Sequence, residues 1–507
     1  MEKKISLCIA LTYTFSYTLW YRWADGFFFL NRSEIYDKDV MEIGALFLLK
    51  NWTNIVGFNI LSANILAWIL AMGSLLIPYY FLQSTIERKA NINYLTIGIL
   101  FTGCFTYNLY NPDAPTLFLT SCLATVILYN IENVKCKTIM LIGVLIALLI
   151  SVRFPNIVVL PMICLFLALA GNNTRSKIKN IVVCCLTSAT TYIGIICLLS
   201  GRIDFYGYFS TEITEGLQLS DDAHGFYTLF HSYVFSLIPM IWKTGTLFSI
   251  FLFSYIVKLY RKWYYGLIVS LLLIFVLYKL GGINYVNGFR EMFGGCVILI
   301  LFHYSWIHRK DKIELMRHFI LLLFMFVGVA GSDTGLMKIY HFSVVVFLII
   351  TLRERILSKY KTECKFLLLP TLMFSIFSFY SPFFENKKYE VFSKINNVTQ
   401  FMSSEEEKKI KEAAMAIKAV KKTEKLIIYG SKAHVIYSMF NIKLPYLMPF
   451  YMKAEDTKQI ELAIRNAKKL HNATIIDLTN SEVLKQAAIQ KGMKKISDTN
   501  FNIYNYN

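Results

Sequence analysis

Residues 138–171 read TIMLIGVLIALLISVRFPNIVVLPMICLFLALAG. Two apolar runs, 138–152 and 156–171, meet at Ser151-Val-Arg153-Phe-Pro155-Asn156, and each approaches the length at which a helix crosses a hydrocarbon core. The Pro155 ring ends one run and opens the next, pushing the residues before it toward extended geometry. Outward from this hairpin the pattern recurs, giving about thirteen runs in the first 380 residues. Their approximate limits are 5–22, 59–83, 93–109, 115–131, 138–152, 156–171, 180–200, 230–257, 264–281, 293–307, 318–331, 340–351 and 366–380. The composition agrees: 56% of the 507 residues are apolar and only 17% charged, with mean hydropathy +0.49, whereas soluble domains carry about a quarter charged residues. The expectation is a multi-pass α-helical membrane protein. The first run, after Met1-Glu-Lys-Lys4, has no small-x-small cleavage site behind it and reads as a retained first helix.

The net charge of +19 does not require nucleic acid, because Lys and Arg collect in alternate gaps between runs. Lys3 and Lys4, Arg88/Lys89, Lys135/Lys137, Arg175/Lys177/Lys179, Lys258/Arg261/Lys262, Arg309 to Arg317 and Arg353 to Lys365 fall on one side, and the intervening gaps are poorer. The positive-inside rule then puts the N-terminus in the cytoplasm. An odd number of runs leaves residues 382–507 outside, in the periplasm of a bacterial inner membrane. Ten Cys all lie at or before Cys364, eight of them in apolar runs, with no zinc spacing. A thiol-free tail suits an oxidising compartment.

Residues 1–381 thus form a helical membrane domain, and 382–507 a separate small α/β domain. In the tail, Ser404 and Glu407 have capping-box spacing ahead of a helical apolar face, Leu426-Ile-Ile-Tyr429 reads as a strand closed by Gly430, and a helical stretch lies near 456–470. A second strand spans 473–477, and Thr479-x-x-Glu482 opens a last helix.

Polar chemistry is expected in the long outer loops, 23–58 and 201–229. The first carries Glu34, Asp37, Asp39 and Glu42 ahead of an amphipathic stretch from Ile43 to Trp52, expected to lie on the membrane with Asp37 and Asp39 at its entrance. An isolated Asp-x-Asp is more often a solvated turn than a site. Arg153 has two readings, snorkelling to the outer surface or binding a phosphate or carboxylate. Gly331-Ser-Asp333-Thr-Gly335-Leu-Met-Lys338 and the loop ending at Arg290 read either as backbone that approaches a ligand closely or as flexible connections. Lys243 is a further ion inside an apolar run, and the eight His are scattered. No Walker A, G-x-S-x-G or H-E-x-x-H pattern occurs.

Cytoplasmic N-terminus, many spans, an acidic first outer loop before an amphipathic helix, Arg153-Phe-Pro-Asn156 and an outer tail together resemble the GT-C superfamily of integral-membrane glycosyltransferases. The protein O-mannosyltransferases and the lipid A aminoarabinose transferase belong to it. The resemblance implies a polyprenyl-phosphate-linked sugar donor at the outer leaflet and a glycan, lipid or protein acceptor, with the membrane lipids around them. It implies a first-loop acid, Asp37 or Asp39, as catalytic base or as ligand to a divalent cation, and Arg153 as donor-phosphate ligand. Glu42, Arg290, Asp333 and Lys338 are cavity candidates. An O-antigen-type polymerase or ligase, or a non-enzymatic sugar or lipid transporter, is also compatible with the sequence.

Overall fold

The computed structural model of the chain describes residues 2–16, 18, 25–38, 41–83, 95–99, 110–132, 134–170, 173–202, 204, 206–207, 210, 231, 234–237, 240–241, 287–329, 335–354, 391–395, 398–420, 425–430, 433–446, 448, 454–470, 473–498 and 501–506. The expected runs 264–281 and 366–380 lie outside these residues, as do Lys243, most of 93–109 and 230–257, and most of the 201–229 loop.

The helices are α1 (Glu2–Ser16), α2 (Asp25–Arg32), α3 (Ile43–Val56), α4 (Ile60–Gln83), α5 (Asp113–Asn130), α6 (Cys136–Val152), α7 (Val159–Ala170) and α8 (Thr174–Ser200). After a gap come α9 (Asn287–Ile307), α10 (Lys312–Met325) and α11 (Ile339–Glu354). Among the described residues, Ile60–Leu82 and Thr174–Ser200 are long and apolar enough to cross a membrane. On α8 the buried positions Cys184, Ser188, Tyr192 and Ile196 form one stripe at helical spacing, while Leu186 and Leu198 on other faces are exposed. An apolar surface turned outward in this way suits lipid. The Asn173 side chain accepts from Ser176 N at 2.7 Å to start that helix, and Gly201 in the left-handed region ends it.

Two limits differ from the sequence expectation. The helix α9 includes the six residues before 293, and α10 spans 312–325 rather than 318–331 because Asp311 caps it, accepting from Ile313 N and Glu314 N. Polar first turns are invisible to a search for apolar runs. The stretch from Ile43 does not simply lie on a membrane surface. Its face of Ile43, Ala45, Leu46, Leu49 and Thr53 is buried against protein. A Cβ on Gly44 would meet Ser151 Oγ at 2.6 Å, so α3 crosses the end of α6 at a distance only glycine allows.

In the tail, β1 (Val391–Ile395) and β2 (Val398–Met402) form an antiparallel hairpin. A second sheet has the order β3-β4-β6-β5, built from β3 (Leu426–Tyr429), β4 (Thr474–Asp477), β5 (Lys494–Asp498) and β6 (Asn502–Asn505). β3 and β4 are parallel, with Ile427 opposite Ile475, and the other two pairings are antiparallel. Helices α12 (Ser404–Ala419), α13 (Ala433–Met439), α14 (Thr457–Lys469) and α15 (Glu482–Gln490) accompany them. The two expected helix starts each move by a residue or two. Ser403, not Ser404, caps α12, and Ser481, not Thr479, caps α15, because the Thr479 hydroxyl is taken by Asp477 Oδ1 at 2.6 Å.

The α/β unit shares a core with the first loop. Phe27, Leu30 and Leu49 belong to the same buried cluster as Val435, Ile436 and Met439. The tail and the first loop therefore lie on one side of the helical domain.

Candidate active site

Five charged side chains from distant segments gather where the first loop meets the helix ends. Asp113 is the first residue of α5, its N–H donating to Asn111 Oδ1 at 3.0 Å behind Pro112, a turn chemistry that starts a helix with an acid in its first turn. Arg153 sits at the break between α6 and a three-ten turn, Phe154–Val158, in extended conformation. Phe154 N–H donates to Met41 O at 2.8 Å and Tyr110 Oη donates to Ala45 O at 2.6 Å, so the loop around Glu42 is tied to both neighbouring segments. Lys338 ends the three-ten turn Gly335–Lys338 ahead of α11, and Arg32 ends α2.

Lys338 Nζ lies 2.8 Å from Asp113 Oδ2 and Arg153 Nη1 lies 3.6 Å from Asp113 Oδ1. Arg153 Nη1 also donates to Gly328 O at 3.3 Å, so the guanidinium is turned into the protein and is 8% exposed. Arg32 Nη1 reaches Glu42 Oε2 at 3.4 Å. Asn156, fully buried, donates to Thr116 Oγ1 at 3.0 Å and Leu149 O at 2.9 Å, which fixes the turn that presents Arg153.

Burial would raise the Asp113 carboxyl, but Lys338 and Arg153 outweigh it and hold Asp113 below the ordinary range. Glu42 goes the other way: burial pushes its carboxyl up, and Arg32 and Arg153 offset that only in part, with Asp113 adding to the rise. Three cations thus face two carboxylates, one of them reluctant to ionise. The cluster carries excess positive charge in a poorly solvated place, which attracts an anion.

Of the residues singled out in the sequence, Glu42, Arg153 and Lys338 come together. Asp37 is half-buried on the three-ten turn Ser33–Lys38, five residues before Glu42 in the chain, and the charges acting on Glu42 are Arg32, Arg153, Asp113 and Lys338. Asp39 and Asp333 lie outside the described residues, and Arg290 is placed on the first turn of α9 with its side chain outside them. Asp113 and Arg32 were not expected. The signal for Asp113 was Asn111-Pro-Asp-Ala-Pro115, an acid at the lip of an apolar run. Among the described residues no three His, Cys, Asp or Glu side chains gather as a metal site. The cluster itself does not fit a divalent cation, since its two carboxylates are already matched by three cations.

No protein-family profile matches the chain, and no characterised protein matches it by sequence. Solved structures do. The Archaeoglobus fulgidus oligosaccharyltransferase, in complex with Zn and sulfate, is similar over 93% of this chain and 67% of its own, at 12% identity and a TM-score of 0.47. ArnT from Cupriavidus metallidurans is similar over 99% of this chain and 97% of its own, at 10% identity, with TM-scores of 0.42 for the apo state and 0.41 bound to undecaprenyl phosphate.

Proposed function

We propose that the protein is a membrane glycosyltransferase that moves a sugar from a polyprenyl-phosphate-linked donor to an acceptor on the outer side of a bacterial inner membrane. The observation that carries this reading is the buried surplus of positive charge made by Arg153, Lys338 and Arg32 around Asp113 and Glu42. The anomeric C–O bond to phosphate breaks as the acceptor oxygen bonds to the anomeric carbon, and the leaving polyprenyl phosphate needs fixed cations. Arg153 and Lys338 supply them, and Asp113 holds both in place beforehand, so that little reorganisation remains for the reaction. The acceptor hydroxyl loses its proton to a first-loop carboxylate, Asp37 or Asp39, which precede Glu42 in the chain. A divalent cation, where the reaction uses one, is assigned to those two aspartates rather than to the five-charge cluster.

The test is incubation of purified protein in lipid with radiolabelled polyprenyl-phosphate sugars. Loss of lipid-linked label to an acceptor is expected, with roughly a hundredfold or greater drop in turnover on Asp37→Asn or Asp39→Asn. Full activity in both variants would remove the first-loop base from the scheme. No release from any polyprenyl-phosphate donor would refute the reading as a whole.

A further inference from the structure

A continuous line of contacts runs from the α/β unit to the charge cluster. Asn31, 2% exposed, donates from Nδ2 to His434 O at 2.7 Å and accepts at Oδ1 from Ser438 Oγ at 2.8 Å, both on α13. The His434 ring meets the Phe28 ring edge-on, centroids 4.9 Å apart at 89°. Phe28 in turn carries the Arg32 guanidinium 4.7 Å above its ring, and Arg32 reaches Glu42. Phe28, Asn31 and Arg32, at i, i+3 and i+4, share one face of a helix of eight residues, so a grip on Asn31 fixes the rotation of α2 and with it the position of Arg32.

We infer that Asn31 is a positioning residue: by latching α13 onto α2 it holds Arg32 between Phe28 and Glu42, so that the seating of the α/β unit sets the state of the Glu42 carboxyl. The amide suits this task because it spends both its donor and its acceptor on α13, leaving α2 one buried orientation. The apolar contacts of Phe27 and Leu30 with the same unit supply the attraction, and Asn31 supplies the register. The inference deepens the proposed function, since Glu42 belongs to the same site, but its test does not require transfer activity.

The full-length protein in lipid is compared with its Asn31→Ala, Ser438→Ala and Phe28→Leu variants by two measurements. Hydrogen exchange of segments 26–38 and 433–446 reports the latch. Labelling of Glu42 by dicyclohexylcarbodiimide, which modifies protonated carboxyls, is followed against pH by mass spectrometry and reports the carboxyl. Arg32 favours the ionised form of Glu42, as do Arg153 and Lys338, while Asp113 opposes it, so loosening Arg32 should move half-labelling to higher pH. Asn31→Ala and Ser438→Ala should raise exchange in both segments and shift the labelling. Phe28→Leu should shift the labelling and, since its ring also meets His434, raise exchange of 433–446 less than Asn31→Ala does. If Asn31→Ala does not fold, Ser438→Ala decides. Unchanged exchange in the latch variants overturns the inference, and so does raised exchange with labelling that stays at the wild-type pH. Absence of sugar transfer in the wild type would strike the functional reading and leave this comparison intact.

Discussion

Lys338 Nζ lies 2.8 Å from Asp113 Oδ2, a contact between residues 225 positions apart. It joins the first turn of α5 to the start of α11. The far ends of the same helices are joined as well: Arg317 Nη2 lies 2.9 Å from Glu132 Oε1 beyond α5, and Glu314 pairs with both Arg317 and Arg353, the latter in the last turn of α11. The 18 residues of α5 run about 27 Å at 1.5 Å each. Two ionic clamps therefore sit at opposite ends of one helix pair, and only the one beside the first loop has surplus cations.

Asp113→Asn leaves Arg153 and Lys338 facing each other without the carboxylate between them. Breaking a buried pair by removing one partner costs about 3–5 kcal/mol, so thermal unfolding in detergent should occur well below the wild-type midpoint. Lys338→Met, which removes one cation and leaves Arg153 on Asp113, should cost less. A reversed order of the two would show that Asp113 is not the hub.

Arg153→Lys keeps the charge but loses the planar fork that meets Asp113 and Gly328 O and that, in the proposed reaction, would also take the donor phosphate. Donor titrations at saturating acceptor should show weakened donor use for Arg153→Lys and a larger loss for Arg153→Ala. An apparent donor affinity unchanged in the Lys variant would mean that position 153 contributes charge alone.

Acid should destabilise the protein through Asp113. Its folded carboxyl lies below the ordinary 3.8, so it contributes stability above that value, and the contribution is lost as pH falls through the folded pKa. Glu42 has the opposite sign. Its folded carboxyl lies above the ordinary 4.5, so its contribution is present below 4.5 and fades as pH rises toward the folded value. Unfolding midpoints measured against pH should show the acid limb flattened in Asp113→Asn and the fall above 4.5 flattened in Glu42→Gln. An acid limb identical to wild type in Asp113→Asn would contradict the pairing.

Sidedness can be read with a membrane-impermeant thiol reagent on otherwise cysteine-free protein in spheroplasts. Lys432→Cys, beside α13, should be labelled, and Lys177→Cys should not. The shared core of the first loop and the α/β unit adds a condition that charge asymmetry alone does not supply: a Cys placed at Asn51 should follow the one at position 432, whichever side that is. Opposite labelling of the two positions would be incompatible with the core that the first loop shares with the α/β unit.

The sequence by itself determined the helical membrane class, the alternation of basic and neutral gaps, the break at Arg153 and Pro155, and two strands and three helices of the tail, because each of these is written in local periodicity and turn chemistry; the hairpin β1–β2, the helix α13 and the strands β5 and β6 were not read from it. It also marked Glu42, Arg153 and Lys338, since ions at the edges of apolar runs are costly unless they have a use. What the sequence did not carry was pairing. Asp113 reads as an ordinary acid at a helix start until Lys338, 225 residues away, is seen on it, and Arg32 reads as a loop cation until Phe28 and Glu42 enclose it. Only the tertiary structure decided which charges meet and that the tail seats on the first loop, because contacts between residues hundreds of positions apart depend on how helices and sheet pack and leave no periodic trace in the chain.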